Sequence, residues 1–151
     1  MKIIELIDED FSNYKKPTMT IGFPKCTFKC GRDICQNAAL ANSPTIDVSI
    51  ESLVDRYISN PITHAICFQG LEPFDSPEIV DLIDEIRKKT DDDIVIYSGY
   101  TESELREWMM VLGGYKNIII KVGRYIPNYE PHFDDILGIQ LASPNQYAIR
   151  L

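Results

Sequence analysis

The sequence predicts an α/β fold organised around a mainly parallel sheet, and three observations predict it. Short runs dominated by apolar and β-branched residues recur along the chain: His64-Ala65-Ile66-Cys67-Phe68, Asp93-Ile94-Val95-Ile96-Tyr97 and Asn117-Ile118-Ile119-Ile120-Lys121-Val122. Such near-continuous runs are characteristic of strands covered on both faces. Between them lie segments whose apolar residues repeat at helical spacing, and turn-prone stretches follow the first two runs, so a strand, loop, helix order repeats.

Taken in order, a polar N-terminal segment is followed by Thr18-Met19-Thr20-Ile21-Gly22-Phe23, a strand that delivers the chain to Pro24 and a loop bearing three cysteines. Residues 50–58 form a helix with Ser49 as N-cap and Asn60-Pro61 as its stop. The strand at residues 64–68 opens into the turn-prone Gln69-Gly70-Leu71-Glu72-Pro73. Asp75-Ser76-Pro77 then begins a helix with Ile79, Leu82, Ile83 and Ile86 on one face and Lys88 and Lys89 at its C-terminal end. The strand at residues 93–97 leads through Ser98-Gly99-Tyr100 to a helix from Thr101 to about Val111, stopped by Gly113-Gly114 before the strand at residues 117–122. Pro127, Pro131 and Pro144 break the tail, leaving residues 136–141 and 147–151 as short strands. There is no internal repeat, low-complexity stretch or linker.

The 151 residues suit one domain with a real core but fall short of the roughly 250 of a complete eight-unit barrel. With 23 acidic against 15 basic residues the formal charge is -8, which argues against a broad nucleic-acid surface. The first ten residues are too acidic, and their apolar run too short, for a signal peptide, and no stretch is long enough to span a bilayer. A cytoplasmic, reducing location is therefore expected, where four cysteines serve as metal ligands or free thiols rather than as a disulfide framework.

Cys26, Cys30 and Cys35 fall within ten residues of one another, directly after a strand. Thiolates in such a cluster are soft ligands for an iron-sulfur centre or for zinc, and composition alone does not choose between them. Three thiolates on a 4Fe-4S cluster leave one iron open to a small molecule; zinc instead calls for a fourth ligand, with Cys67 or His64 as candidates. Cys67, flanked by Ile66 and Phe68, reads first as a small apolar core residue. In parallel sheets and barrels alike, ligands bind beyond the carboxyl ends of the strands. The cysteine loop, Gly70 to Pro73, Ser98 to Tyr100 and the Lys121 strand end are thus expected on one rim. Glu72 reads as a solvated turn residue, with acceptance of an ammonium group as the alternative. Lys121 is equally a carboxylate binder or an exposed lysine, and Ser98-Gly99-Tyr100 equally an ordinary turn. His64 and His132 read as structural or surface residues, Asp91-Asp92-Asp93 as a solvated loop, and Tyr125, Tyr129 and Phe133 as aromatic core, with a partner surface as the alternative.

Four landmarks then stand in order: the cysteine loop ending Cys35-Gln36-Asn37, Phe68-Gln69-Gly70-Leu71-Glu72-Pro73, Ile96-Tyr97-Ser98-Gly99-Tyr100-Thr101, and Ala142-Ser143-Pro144-Asn145-Gln146. In this order the chain resembles the radical S-adenosylmethionine superfamily, and within it the small activating proteins of anaerobic ribonucleotide reductase. The resemblance implies an incomplete β/α barrel of about five or six mainly parallel strands. It implies that Cys26, Cys30 and Cys35 hold a 4Fe-4S cluster whose open iron chelates the amino and carboxylate groups of S-adenosylmethionine. Gly70, Leu71, Glu72, Pro73, Ser98 and Lys121 become the expected cofactor-binding set, with Glu72 and the Gly70-Leu71 backbone at the amino end. One-electron cleavage would give a 5′-deoxyadenosyl radical that takes hydrogen from a glycine of a large glycyl-radical subunit. A flavodoxin or ferredoxin would serve as reductant, with no nucleic-acid or membrane partner. Two departures stand out: Gly31-Arg32-Asp33-Ile34 makes the second cysteine interval two residues longer than usual, and Leu71 replaces a second glycine. The alternatives are a small radical enzyme acting on a nucleoside precursor or peptide, a zinc-stabilised binding module, and a family member that keeps the fold without the chemistry.

Overall fold

Four buried strands lie side by side and parallel at the centre of the computed structural model, which describes residues 1–151. In chain order the elements are β1 (Lys2–Ile3), β2 (Glu5–Asp10), β3 (Thr18–Phe23), β4 (Ile46–Asp47), α1 (Ile50–Ser59), β5 (Ala65–Gly70), α2 (Ile79–Arg87), β6 (Asp93–Tyr97), α3 (Arg106–Leu112), β7 (Ile118–Val122), β8 (His132–Asp134), β9 (Ile139–Leu141) and β10 (Tyr147–Arg150). Short 3-10 turns occupy Ala38–Asn42 and Pro73–Asp75. The main sheet has six strands in the order β10-β7-β6-β5-β3-β2. Its inner four pair in parallel, while β2 and β10 run antiparallel at the edges. The α/β class and the strand number agree with expectation.

Alternation along the parallel strands divides the core into two. Met19, Ile21, Phe23, Ile66, Phe68, Ile94, Ile96, Ile118 and Ile120 face α1 and α2, which contribute Leu53, Val54 and Tyr57 and Ile79, Leu82, Ile83 and Ile86. Each such aliphatic side chain taken from water stabilises the fold by about 2 kcal/mol. Ala65, Val95 and Ile119 turn the other way, under Tyr14, Leu137, Leu141 and Ala148. The Ser49 hydroxyl accepts from the Ser52 N–H at 3.1 Å and starts α1, which stops at Asn60 before Pro61.

Several expectations are corrected. The N-terminal segment is not merely polar: Glu5–Asp10 is a strand, paired with β3 through Leu6 opposite Ile21 and Ile7 opposite Thr20. Its acidic side chains suit an edge, where charge discourages further pairing. The helix expected from Asp75 begins at Ile79, because Pro73–Asp75 forms its own turn. Asp93 is buried rather than solvated: it accepts from Tyr14 Oη at 2.9 Å, Lys16 Nζ at 2.6 Å and Arg150 Nη1 at 2.8 Å. Burial pushes its carboxyl up, but the bonds from Arg150, Lys16 and Tyr14 outweigh that and hold it below the usual carboxylate range. Tyr129 and Phe133 are exposed rather than core, and Tyr125 is half-buried. No helix is long and apolar enough to cross a membrane.

Candidate functional site

Because β3, β5, β6 and β7 are parallel, their carboxyl ends bring four loops to one rim. A cleft of about 350 Å³ opens there, lined by all three loop cysteines and by Gly70, Leu71, Glu72, Ser98 and Lys121. That volume lies in the range of about 300–1,000 Å³ usual for small-molecule sites. Of the expected cofactor-binding set only Pro73 does not line it. Pro73 is buried at the start of the 3-10 turn, where its fixed φ helps to present Glu72.

Gly70 ends β5 with φ +92, and its close neighbours explain why no side chain stands there. A Cβ would lie 2.8 Å from the Phe23 nitrogen and 2.9 Å from the Phe23 oxygen, atoms of the neighbouring parallel strand. The Leu71 N–H donates to Phe23 O at 3.0 Å, the Glu72 N–H to Lys25 O at 2.7 Å, and Asn37 Nδ2 to Gly70 O at 2.7 Å, so the cysteine loop and the β5 loop are stitched together. Gly70→Ala is expected to destabilise the protein by about 3 kcal/mol or more, through left-handed strain and backbone overlap, in chemical denaturation. An unchanged denaturation midpoint would contradict this geometry.

Glu72 is not solvated as a turn glutamate: it is 2 % exposed. Its Oε2 accepts from the Gly99 N–H at 2.9 Å and its Oε1 from the Phe74 N–H at 3.4 Å. Burial pushes its carboxyl up to about 7 against the opposing bonds from Gly99, Ser98 and Phe74. Lys121 is 7 % exposed, so the exposed-lysine reading is also corrected. Its Nζ donates to Gly123 O at 2.9 Å and Ser98 O at 3.3 Å, and burial draws its pKa down to about 8 while the Glu72 charge opposes. The cleft thus places a buried acid and a buried base beside the sulfurs.

The three cysteines are half-buried. Burial pushes the Cys26 thiol up, with the charges of Glu72, Asp75 and Cys30 adding to it. It does the same at Cys30, where the neighbouring Cys35 adds to the effect. Metal loading must therefore expel thiol protons. The fourth zinc ligand is not supplied by either candidate. Cys67 is wholly buried in the middle of β5, beside Thr20 and Asp10, which places it in the core as expected. His64 precedes β5, its N–H on Pro17 O, at the opposite end of the parallel strands. No three His, Cys, Asp or Glu side chains share one point as a mononuclear site requires. Three thiols lining one cleft suit an iron-sulfur cluster, which thiolates would hold.

Asn37 and Gln146, which stand in two of the sequence landmarks without a role of their own, line the cleft together with Gly123 and Arg124, which the sequence does not single out. Ser143, Asn145 and Gln146 wrap the loop after β7: Asn145 Nδ2 donates to Arg124 O at 2.7 Å and Gln146 Nε2 to Gly123 O at 3.4 Å. Gly123, at φ +96, would drive a Cβ to 2.4 Å from Asn145 O. The available signal was positional, since Gly123 follows β7 at the level where Gly70 ends β5.

A family model described as a 4Fe-4S single cluster domain matches residues 18–136, from the first residue of β3 into the tail and so over more than half the chain. No curated protein and no solved structure matches it.

Proposed function

The chain belongs to the 4Fe-4S single cluster domain family, and from that premise we infer that it is a radical S-adenosylmethionine enzyme that installs a glycyl radical on a large partner such as anaerobic ribonucleotide reductase. The observation that carries this reading is the convergence of Cys26, Cys30, Cys35, Glu72 and Lys121 on one cleft. Cys26, Cys30 and Cys35 would hold the cluster, which when bound would supply one electron. The protein's own residues bind, orient and exclude water.

Glu72 offers its remaining carboxylate lone pairs to the amino end of the methionine moiety, with Gly99 fixing its direction. Lys121, aimed by Ser98 O and Gly123 O, offers a cation to the carboxylate end. The Gly70 carbonyl accepts from Asn37 at 2.7 Å and keeps a second lone pair, so it can share the amino group with the Glu72 side chain. Leu71, Ile139 and Leu141 supply an apolar wall that keeps water from the reacting centre. A flavodoxin or ferredoxin is the proposed electron donor.

Anaerobic reconstitution with iron and sulfide is expected to load about four irons per chain. Strong reductant with S-adenosylmethionine should then release 5′-deoxyadenosine, and a glycyl-radical signal should appear on the large subunit when it is supplied. Protein that assembles the full cluster yet releases no deoxyadenosine would end the enzyme reading.

A further inference from the structure

The geometry points to Tyr100 and Asp75 as positioning residues that set the Cys26–Cys30 half of the cluster loop before metal arrives, leaving Cys35 to adjust. The inference rests on the cluster-binding reading of the same loop, not on cleavage of S-adenosylmethionine. Asp75 ends the 3-10 turn after β5, and Tyr100 follows β6. Both carboxylate oxygens of Asp75 are used: Oδ1 accepts from Tyr100 Oη at 2.6 Å and Oδ2 from the Thr27 N–H at 2.8 Å. Thr27 Oγ1 lies 2.9 Å from the Tyr100 hydroxyl. The phenol has one proton and gives it to the carboxylate, so the threonine hydroxyl donates to the phenol oxygen, closing a three-residue ring. Lys29 Nζ sits 4.4 Å from the centre of the Tyr100 ring and 3.6 Å from Glu104 Oε1.

Thr27 and Lys29 flank Phe28, so the contacts hold both ends of the segment between Cys26 and Cys30. Phe28 has φ 52, a left-handed conformation that a bulky residue keeps only when its surroundings over-determine it. Its N–H donates to Cys26 Sγ at 3.2 Å, and its carbonyl accepts from the Gly31 N–H at 2.9 Å, which ties the turn to the first sulfur. Tyr100 is itself anchored: its N–H donates to Ser98 Oγ at 2.9 Å and its carbonyl accepts from the Gly123 N–H at 2.8 Å. By contrast Gly31, Arg32, Asp33 and Ile34 are all exposed. The long second interval therefore runs over the surface: Gly31 and Arg32 rest on the held turn, through the Phe28 carbonyl and 5.0 Å over the Phe28 ring, while the Tyr100, Asp75 and Thr27 side chains make no hydrogen bond to Asp33 or Ile34. Held in this way, two sulfurs need no ordering when the irons bind.

The test begins on the full chain without iron. Alkylation by iodoacetamide, followed at each cysteine by mass spectrometry, should accelerate about threefold to tenfold at Cys26 and Cys30 in Tyr100→Phe and in Asp75→Asn, the fold-change expected for lost hydrogen bonds. Cys35 should keep its wild-type rate. The double variant should not exceed Asp75→Asn, whose Cys26 rate also carries the lost Asp75 charge, because both changes open one ring. After reconstitution the same variants should lose iron to a chelator faster, and their reduced clusters should give an altered electron paramagnetic resonance spectrum, which a general loss of stability would not produce. Buried Cys67 reports unfolding by becoming reactive. Should either variant unfold, Thr27→Val, on the exposed side of the ring, carries the same readouts. Wild-type rates at Cys26 and Cys30 together with an unaltered spectrum, in Thr27→Val and every variant that folds, would overturn the proposal. The alkylation rates require neither metal nor S-adenosylmethionine, so their failure is distinguishable from failure of the enzyme reading.

Discussion

Alanine at Cys26, Cys30 or Cys35 is expected to strip the cluster and abolish deoxyadenosine release, whereas Cys67→Ala should retain both. Substitutions that merely loosen the surroundings of a metal ligand weaken binding by about 10–100-fold, so removal of a ligand should cost more than about 100-fold in iron retention. The fold gives little reason for these three changes to act through stability, because the sulfurs are half-buried on a loop outside the main sheet. Cys67 is the reverse case: wholly buried on β5 between β3 and β6, it should lose about 1 kcal/mol with its sulfur and keep its iron. Iron and sulfide assay with visible absorption after anaerobic reconstitution separates the two. A full iron complement in any one of the three loop variants would remove that cysteine from the ligand set.

The parts legible in the sequence are those where one force dominates. Strands β3, β5, β6 and β7 announce themselves because burial on both faces excludes polar residues from most positions, and α1 because Ser49 and the Asn60-Pro61 stop leave the chain little else to do. β2 was hidden because an edge strand tolerates Glu5, Asp8 and Glu9, which break the apolar pattern. β8 was hidden by Pro131 immediately before it, and of the strand expected at residues 136–141 only Ile139–Leu141 forms. α3 is regular only from Arg106, although Thr101 and Glu104 form a reciprocal cap: Thr101 N donates to Glu104 Oε2 at 2.9 Å and Glu104 N to Thr101 Oγ1 at 3.4 Å. The rim was legible because topology alone puts every parallel strand end together. The burial of Glu72, Lys121 and Asp93 was not, since a charged residue at or just beyond a strand end carries no local mark of what the rest of the chain will lay over it.

Glu72→Gln is expected to stabilise the metal-free protein at pH 8 and to weaken S-adenosylmethionine binding, two changes of opposite value from one lost charge. Burial raises the Glu72 pKa from 4.5 to about 7. A carboxyl whose pKa is higher folded than unfolded binds its proton more tightly in the native state. Its contribution is therefore fully present below pH 4.5 and lost as pH rises to about 7. At about 1.4 kcal/mol per pH unit, the ionised side chain costs the folded state about 3 kcal/mol by pH 8. Glutamine keeps an acceptor for the Gly99 N–H and carries no charge, so the variant should match wild type near pH 4 and exceed it increasingly towards pH 8. Lys121 acts in a separate window: its pKa is lowered from 10.5 to about 8, so its linked stability is gained as pH rises through that interval. Because the Glu72 charge holds the Lys121 pKa up, the variant draws Lys121 lower still, and the gain at pH 8 is net of that loss. On the proposed function, loss of a charged hydrogen bond to the methionine amino group should raise KM for S-adenosylmethionine about tenfold or more, and should flatten the rise in affinity expected of wild type as Glu72 ionises between pH 6 and 8. A buried carboxylate kept at a cost to stability is the pattern of a residue retained for its ligand. Equal denaturation midpoints for the two proteins at pH 8 would show that Glu72 is not strained by burial, and an unaltered KM would show that it is not part of the binding site.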